Sequence, residues 1–194
     1  MRKYCNHCQY PVSTCICKEI RPTVLDIEVT IIQHPKEATH AKNTARLAVL
    51  SIPSARIVSA NDHLAMEALH HCCDQRSTLL VYPCDSSIPI EGLEDTTKKA
   101  VTTLILIDGS WKQASGIVKQ HAWLQSLTSV HFSQAPPSNY LIRHTSLSYA
   151  LSTLEAVAYS ASCISERDLA NLYRLQNAMQ CHWQGPLEHR RKVK

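Results

Sequence analysis

Glycine is scarce in this 194-residue sequence, and its scarcity excludes two common nucleotide-binding devices. The four glycines are Gly92, Gly109, Gly116 and Gly185. No two of them have the spacing of a Walker phosphate loop, and no three form the G-x-G-x-x-G turn of a dinucleotide-binding fold. The sequence therefore disfavours both ATP hydrolysis by a P-loop and an ordinary Rossmann fingerprint.

Long apolar runs are also missing. The most apolar stretches, such as 79–82 and 104–107, are far shorter than the roughly 20 residues that a helix needs to cross a bilayer. No apolar signal-peptide region precedes Cys5. Hydrophobic residues still make up 44% of the chain, which is enough to bury a core. We expect a soluble, cytoplasmic, globular protein that is a monomer and has no membrane partner.

Positive charge exceeds negative charge only slightly. Twenty Lys and Arg residues against sixteen Asp and Glu residues give a net charge of +4 and a pI near 8.6, which favours a polyanionic partner weakly. Part of this charge lies in the C-terminal run 189–194, which contains Arg190 and Arg191. Such a run is either a solvated chain end or a contact for nucleic-acid phosphates.

Cysteine, in contrast, is abundant. Four of the nine cysteines lie in the first seventeen residues, as Cys5-x-x-Cys8 and Cys15-x-Cys17. Two closely spaced pairs can place four sulfurs at the corners of a tetrahedron, which Zn²⁺ prefers in a closed structural site. The alternatives are free thiols or a redox pair at Cys5 and Cys8, but the redox motif should follow a strand, and nothing before Cys5 can supply one. We predict a zinc-binding segment over 1–22 and the main domain over 23–194.

The rest of the sequence alternates between strand-like and helix-like stretches. Strands are predicted at 24–33, 56–59, 78–82, 102–107 and 127–132. Helices are predicted at 42–50, at 62–71 with Asp62 as the N-cap, at 111–121, at 148–161, and at 166–183 with Ser165 as the N-cap. This alternation indicates an α/β fold with a mainly parallel sheet flanked by helices. In such sheets ligands bind beyond the carboxyl ends of the strands.

Polar residues follow three of these apolar strands, in the segments 33–37, 82–85 and 108–111. Asp108 together with Trp111 could hold an ammonium group beside an aromatic wall. A late helix opens with Ser152 and Thr153, whose amides and hydroxyls could hold a carboxylate. Each feature also has an ordinary explanation, since Asp-Gly is a common turn, Trp111 could be a core residue, and Ser152 and Thr153 could form only a helix cap with Glu155.

Together these residues resemble a known signature. The segment Asp108-Gly109-Ser110-Trp111 is similar to the Asp-x-Thr-Trp motif of the DTW-domain family, with serine at the usual position of threonine. Further matching motifs occur in the same order along the chain: the four N-terminal cysteines, Gln33-His34-Pro35-x-Glu37, Asn43-Thr44-x-Arg46-Leu47, Tyr82-Pro83, Arg143 and Leu151-Ser152-Thr153-Leu154-Glu155-Ala156. The resemblance covers nearly the whole chain.

The resemblance implies a tRNA-uridine aminocarboxypropyltransferase. Such an enzyme moves the 3-amino-3-carboxypropyl group of S-adenosylmethionine to N3 of a tRNA uridine, here expected in the variable loop, and releases 5′-methylthioadenosine. It also implies a SPOUT-like fold in which a knotted C-terminal region binds the cofactor. Two alternatives remain open: a SPOUT-type tRNA methyltransferase and a non-catalytic, zinc-dependent RNA-binding protein.

From this resemblance we hypothesise roles for individual residues. Asp108 and Trp111 would hold the amino end of the methionine moiety. A carboxylate would remove the uracil N3 proton, with Asp108 the first candidate and Glu155 the second. The remaining cofactor-binding candidates are Tyr82, Pro83, Ser110, Leu141, Ser152 and Thr153. The candidate tRNA contacts are Lys36, Arg46, Arg143, Arg190 and Arg191.

Overall fold

The alternating apolar segments form a single parallel sheet. A computed structural model describes residues 3–142, 150–165 and 167–182. Within them the strands are β1 (Glu28–Gln33), β2 (Ala55–Ser59), β3 (Thr78–Val81), β4 (Ile88–Pro89), β5 (Thr103–Asp108) and β6 (Thr128–His131). Their order across the sheet is β2-β1-β5-β3-β6-β4, and each recorded strand pair is parallel. The α/β class and the parallel sheet are thus confirmed.

Helices cover both faces of this sheet. They are α1 (Pro35–Ala38), α2 (Ala45–Ser51), α3 (His63–Cys72), α4 (Asp95–Ala100), α5 (Trp111–Gln120), α6 (Thr153–Ser165) and α7 (Ala170–Cys181). Short 3-10 turns lie at Val12–Thr14, Cys17–Glu19, Ile90–Gly92 and Ala122–Ser126. In the part of the chain that the structure describes, no helix has the length and apolarity needed to span a membrane.

Successive side chains of the central strands point to opposite faces and build two cores. Ile31 and Leu104 belong to the larger core, which includes residues of α2, α6 and α7. Ile32 and Ile105 belong to the smaller core with residues of α3 and α5. The sheet is therefore apolar on both faces, as expected for parallel strands that helices cover on each side.

Several predicted boundaries are corrected. The first strand begins at Glu28 rather than at 24, because its neighbours offer backbone partners only from Ala55 in β2 and Thr103 in β5. β4 has two residues, too few to show a periodicity. α4 was missed because none of its side chains is buried, so its sequence has no apolar stripe. The Asp62 cap of α3 is confirmed, since its side chain accepts the N–H of Ala65.

The two C-terminal helices also differ from the prediction. α6 begins at Thr153 and continues to Ser165, because Val157 and Ala161 extend its buried face towards its end. Ser165 is therefore the last residue of α6 and donates its hydroxyl to the carbonyl of Ala161 instead of capping the next helix. The next helix starts only at Ala170.

The N-terminal segment is packed onto the larger core. Tyr4 and Pro11 form an isolated antiparallel bridge. Cys8, Tyr10 and Ile16 are buried in the same apolar cluster as the central strands. The predicted zinc-binding segment therefore shares a core with the sheet domain.

Candidate active site and metal centre

Asp108 joins three parts of the fold. It is the last residue of β5, it pairs in register with Gln33 at the end of β1, and its side chain is buried, with 5% exposed. One carboxylate oxygen accepts the Gln33 amide at 2.9 Å and the Asn43 amide at 3.5 Å. The other accepts the Thr153 hydroxyl at 2.5 Å. Asp108 therefore fixes the start of α6 against the ends of β1 and β5.

Glu155, in the first turn of α6, is a second buried carboxyl group that joins separate parts of the fold. It is 2% exposed, and its oxygens accept bonds from four donors: the Ser138 hydroxyl at 2.7 Å, the Asn139 N–H at 2.7 Å, the Ser152 N–H at 2.7 Å and the Gln176 amide at 2.9 Å. These bonds connect the 138–139 segment to α6 and α7.

Among the residues that the structure describes, no cationic side chain contacts either buried carboxyl group. All recorded contacts of Asp108 and Glu155 are with neutral donors, and the ion pair recorded in the described residues joins Arg167 to Asp26. The helix N-terminus between them supplies only partial positive charge. This end of the sheet therefore brings together two buried carboxyl groups whose hydrogen-bond partners within the described ranges are all neutral.

A pocket of about 340 Å³ opens beyond the carboxyl ends of β3, β5 and β6. Its volume is within the range of small-ligand sites. The wall is mostly apolar and includes a few polar side chains. The lining residues are Val81, Tyr82, Pro83, Leu106, Ile107, Gly109, Trp111, Ala114, Val130, His131, Phe132, Ser133, Ala135, Leu151, Thr153 and Ala156.

Trp111 lies at the edge of this pocket because of the local helix start. Ser110 caps α5, accepting the Gln113 N–H at 3.4 Å while the Gln113 side chain accepts the Ser110 N–H at 2.6 Å. A Cβ on Gly109 would lie 3.1 Å from the Cβ of Gln113, so only glycine leaves this capping box undisturbed. Trp111 follows as the first helical residue, with 47% of its surface exposed.

The structure brings some of the predicted cofactor residues together in the pocket. Tyr82, Pro83, Trp111 and Thr153 line it. Ser110 instead caps α5. Ser152 donates its N–H to Glu155 and its hydroxyl to the side chain of Gln176, so it is occupied within the fold. Asp108, Glu155 and Leu141 are also outside the pocket lining, and the Leu141 N–H donates to Gln180.

His131 lines the pocket but was not among the residues predicted from the sequence. It ends β6, and its Nδ1 lies 2.9 Å from the hydroxyl of Ser87. The sequence did contain a signal for His131, because a polar residue at the end of an apolar parallel strand lies where ligands bind in such sheets. The predicted strand 127–132 ran past this position, so the side chain at its end was not considered.

Glu91 holds another part of the pocket wall. Its carboxylate accepts bonds from the backbone of Ser133 and Gln134, from the Ser133 hydroxyl, and from the Tyr159 hydroxyl at 2.9 Å. Partial burial raises the pKa of Glu91, but the bonds from Gln134, Tyr159 and Ser133 outweigh it, and the net shift is downward. The segment that carries Ser133 and Ala135 into the pocket is therefore tied to an ionised side chain.

The four N-terminal cysteines form a cluster. Their sulfurs all lie within 4.8 Å of one another, with Cys5 and Cys17 3.5 Å apart and Cys8 and Cys15 3.7 Å apart. Zn–S bonds of about 2.3 Å place the sulfurs of a tetrahedral site about 3.8 Å apart. The cluster therefore fits Zn²⁺ in both donor type and size, with no position left for a substrate.

The protonation of these thiols also suits a cation. Backbone N–H groups of Cys8 and His7 lower the pKa of Cys5 to about 6. Burial, followed by hydrogen bonds with the other thiols, raises the pKa of Cys17 to about 12. Four crowded sulfurs cannot all ionise without compensation, and a divalent cation at their centre supplies it.

The predicted tRNA-binding residues are scattered. Lys36 is in α1, next to the end of β1. The Arg46 guanidinium lies 5.3 Å from the centre of the Tyr10 ring, so this side chain also braces the N-terminal segment. Lys112, which was not among the predicted residues, is exposed beside Trp111. Arg143, Arg190 and Arg191 lie outside the described residues.

The fold and the site define an α/β protein with a small-ligand pocket at the carboxyl edge of a parallel sheet and an N-terminal cluster of four cysteines whose size and donor atoms fit a metal ion. Residues 2–184 match the family described as "DTW domain", and the chain belongs to this family, as the sequence motifs predicted.

Three known proteins that resemble this chain carry the same name. It is 30% identical over 173 residues to tRNA-uridine aminocarboxypropyltransferase 2 of Drosophila melanogaster, covering 86% of this chain and 68% of the fly protein. Proteins of the same name from Mus musculus and Macaca fascicularis are 29% and 27% identical, and the chain spans 58% of the length of each. No solved structure matches the chain.

Proposed function

We propose that this protein is a tRNA-uridine aminocarboxypropyltransferase. It transfers the 3-amino-3-carboxypropyl group of S-adenosylmethionine to N3 of a tRNA uridine, in the variable loop, and releases 5′-methylthioadenosine. The family membership and the shared name of three relatives support the reaction class. The pocket beside the Asp108-Gly109-Ser110-Trp111 motif is where the family's signature residues and a ligand-sized cavity coincide.

One observation favours S-adenosylmethionine in particular. The methionine end of this donor carries a sulfonium, an ammonium and a carboxylate group, so its net charge is positive. Asp108 at the end of β5 and Glu155 in the first turn of α6 are two buried carboxylates with only neutral partners among the described residues, and Asp108 contacts the pocket residue Thr153. Buried negative charge acts strongly over short distances in a low dielectric, so the methionine end binds on the Thr153 side.

The opposite wall suits the adenosyl portion. Tyr82, Pro83 and Phe132 offer flat apolar surfaces for a purine ring, and Val130 closes the wall between β3 and β4. Trp111 at the exposed edge covers the side from which a nucleobase enters. The donor is held between strand ends and helix starts, which agrees with the absence of a glycine-rich loop.

The position of the sulfonium relative to the uracil decides which group is transferred. The sulfonium sulfur is bonded to three electrophilic carbons, and the carbon that lies in line with the nucleophile reacts. We infer that the Asp108–Thr153 pair fixes the methionine side chain so that its γ-carbon faces the uracil, with the methyl group turned away. Because both Asp108 oxygens accept bonds from Gln33 and Thr153, this carboxylate acts by positioning and by its charge rather than as the base.

The metal and the C-terminal region complete the proposal. Cys5, Cys8, Cys15 and Cys17 hold a structural Zn²⁺ that stabilises the N-terminal segment against the core.

We also propose a SPOUT-like knot at the C-terminus, since the 139–142 segment, α6 and α7 are joined through Glu155 and Gln180. The protein acts as a cytoplasmic monomer.

Basic residues near the pocket would bind tRNA phosphates. Lys36 and Lys112 lie at the starts of the helices that follow β1 and β5. Each phosphate contact steepens the fall of affinity with salt. Lys112→Ala should therefore reduce the salt slope by about one unit, whereas Lys119→Ala, at the other end of α5, should leave it unchanged. Equal slopes for both variants would remove Lys112 from the interface.

The by-product identifies the reaction. Reduced, zinc-loaded protein is incubated with S-adenosylmethionine and unmodified tRNA, and the nucleosides are separated and weighed. 5′-Methylthioadenosine, in an amount equal to the mass gain on uridine, supports the proposal. S-Adenosylhomocysteine would mean methyl transfer on the same fold. Neither product together with tight tRNA binding would make the protein a non-catalytic RNA-binding module.

A further inference from the structure

His131 is held by a hydrogen-bond network that fixes the location of its ring proton. The Ser87 hydroxyl lies 2.7 Å from the carbonyl oxygen of Cys84, accepts the Cys84 N–H at 3.1 Å, and lies 2.9 Å from Nδ1 of His131. A carbonyl oxygen only accepts, so the single serine proton must point at Cys84. The Ser87 oxygen must then accept a hydrogen bond in its contact with Nδ1 of His131.

The consequence is a defined tautomer. Nδ1 of His131 must donate to Ser87, so a neutral imidazole at this position carries its proton on Nδ1. Nε2 then has an unshared electron pair. None of the hydrogen bonds recorded for the described residues uses Nε2 of His131, and the side chain lines the pocket.

We propose that His131 is the general base of the transfer, taking the N3 proton of the bound uracil on its Nε2 atom. This assignment rests on the proposed function. Tyr82 and His131 are the titratable side chains among the described lining residues, and imidazole is the one that accepts protons near neutral pH. Asp108 and Glu155 are outside the lining and already accept several bonds each.

The step balances. The uracil N3–H bond breaks and its proton goes to Nε2 of His131, while the N3 electron pair forms the bond to the γ-carbon of the methionine chain. The bond from that carbon to sulfur breaks, and its electrons remain on sulfur, giving neutral 5′-methylthioadenosine. His131 becomes an imidazolium whose Nδ1–H still donates to Ser87, and it returns the proton to solvent after the product leaves.

Ser87 acts through His131 and is a positioning residue. Ser87→Ala removes the acceptor on Nδ1, so the ring is free to turn and to carry its proton on Nε2. We expect this variant to keep its affinity for S-adenosylmethionine and to lose part of its turnover. A lowered turnover with unchanged donor affinity separates a positioning role from a general loss of pocket structure.

The predicted tautomer of His131 can be tested without measuring the reaction. Nitrogen NMR of isotopically labelled protein, with His131→Ala for assignment, should show the proton of neutral His131 on Nδ1 and a shift toward the Nε2 tautomer in Ser87→Ala. A wild-type ring protonated on Nε2 would overturn the base assignment, and it would do so whether or not the proposed function holds.

The catalytic role is tested in single turnover. General bases contribute about 10² to 10⁴ in rate, so His131→Ala should lose at least about 100-fold, retain donor affinity and melting temperature, and recover rate with added imidazole. His63→Ala, at the exposed start of α3, is the control. An active wild type with a His131→Ala rate within about threefold of it would refute the base while leaving the transferase intact. Loss of donor binding, or no rescue, would assign His131 a structural role, and an inactive wild type would remove the transferase itself.

Discussion

The buried carboxylate of Asp108 carries the two roles that the proposed site requires of it, positioning and charge. Asp108→Asn keeps the size of the side chain and removes the charge. One oxygen can still accept the Gln33 amide, which now lies 2.9 Å from it. The new amide replaces the oxygen that accepts the Thr153 hydroxyl at 2.5 Å, so Thr153 must rotate and turn its proton elsewhere.

The expected loss of stability follows from the contacts of Asp108 with Gln33 and Thr153. Hydrogen bonds to a charged group contribute about 1.5–3 kcal/mol and neutral ones about 0.5–1.5 kcal/mol. Converting two short charge-assisted bonds to neutral ones should therefore lower the free energy of unfolding by about 2 kcal/mol. The Asn43 contact at 3.5 Å adds little. Without the negative charge, affinity for S-adenosylmethionine should fall at least about tenfold, or 1.4 kcal/mol.

Urea unfolding followed by circular dichroism measures the first effect, and calorimetric titration with S-adenosylmethionine measures the second. Asp95→Asn, at the exposed start of α4, is the matched control and should change stability by less than about 0.5 kcal/mol. If Asp108→Asn unfolded within 0.5 kcal/mol of the wild type and bound the donor equally well, the carboxylate would contribute neither positioning nor charge, and the reasoning would fail.

Three other perturbations have defined outcomes. Cys8→Ser should reduce the zinc content measured by atomic absorption and lower the melting temperature, because Cys8 is buried in the main core; full zinc content would contradict a four-cysteine site. Gly109→Ala should cost about 1 kcal/mol in a thermal melt by disturbing the capping box formed by Gln113; an unchanged melt would show that the box adapts. Glu91→Gln should destabilise the protein at neutral pH, and the difference from wild type should shrink as pH falls below 4.5, because the pKa of Glu91 is lowered in the folded state; a difference independent of pH would rule out the carboxylate.

The strands were predictable because their chemistry is local. Apolar, β-branched runs such as β3 and β5 have no other stable position than between two helix layers, and Asp62 marked a helix start by its side chain alone. Elements without an apolar signature were not predictable. α4 has no fully buried side chain, and β4 exists only because β6 offers it backbone partners.

The site was predictable in part for a similar reason. Trp111 and Thr153 could be located because they follow a strand or open a helix near sequence motifs. The partners of Asp108 could not, since Gln33 and Thr153 are 75 and 45 residues away along the chain. The same holds for His131, whose partner Ser87 lies 44 residues away. Long-range contacts of this kind depend on the sheet order, which no local pattern specifies.

The central claim is that the aminocarboxypropyl chain, and not the methyl group, leaves S-adenosylmethionine from this pocket. The most direct test supplies a donor labelled with heavy carbon in the aminocarboxypropyl chain and with deuterium in the methyl group, together with unmodified tRNA. The account predicts uridine that carries the heavy carbon and no deuterium, with all deuterium in 5′-methylthioadenosine. Deuterium on the tRNA would contradict it, because the γ-carbon would then not be the carbon that the site presents to the base.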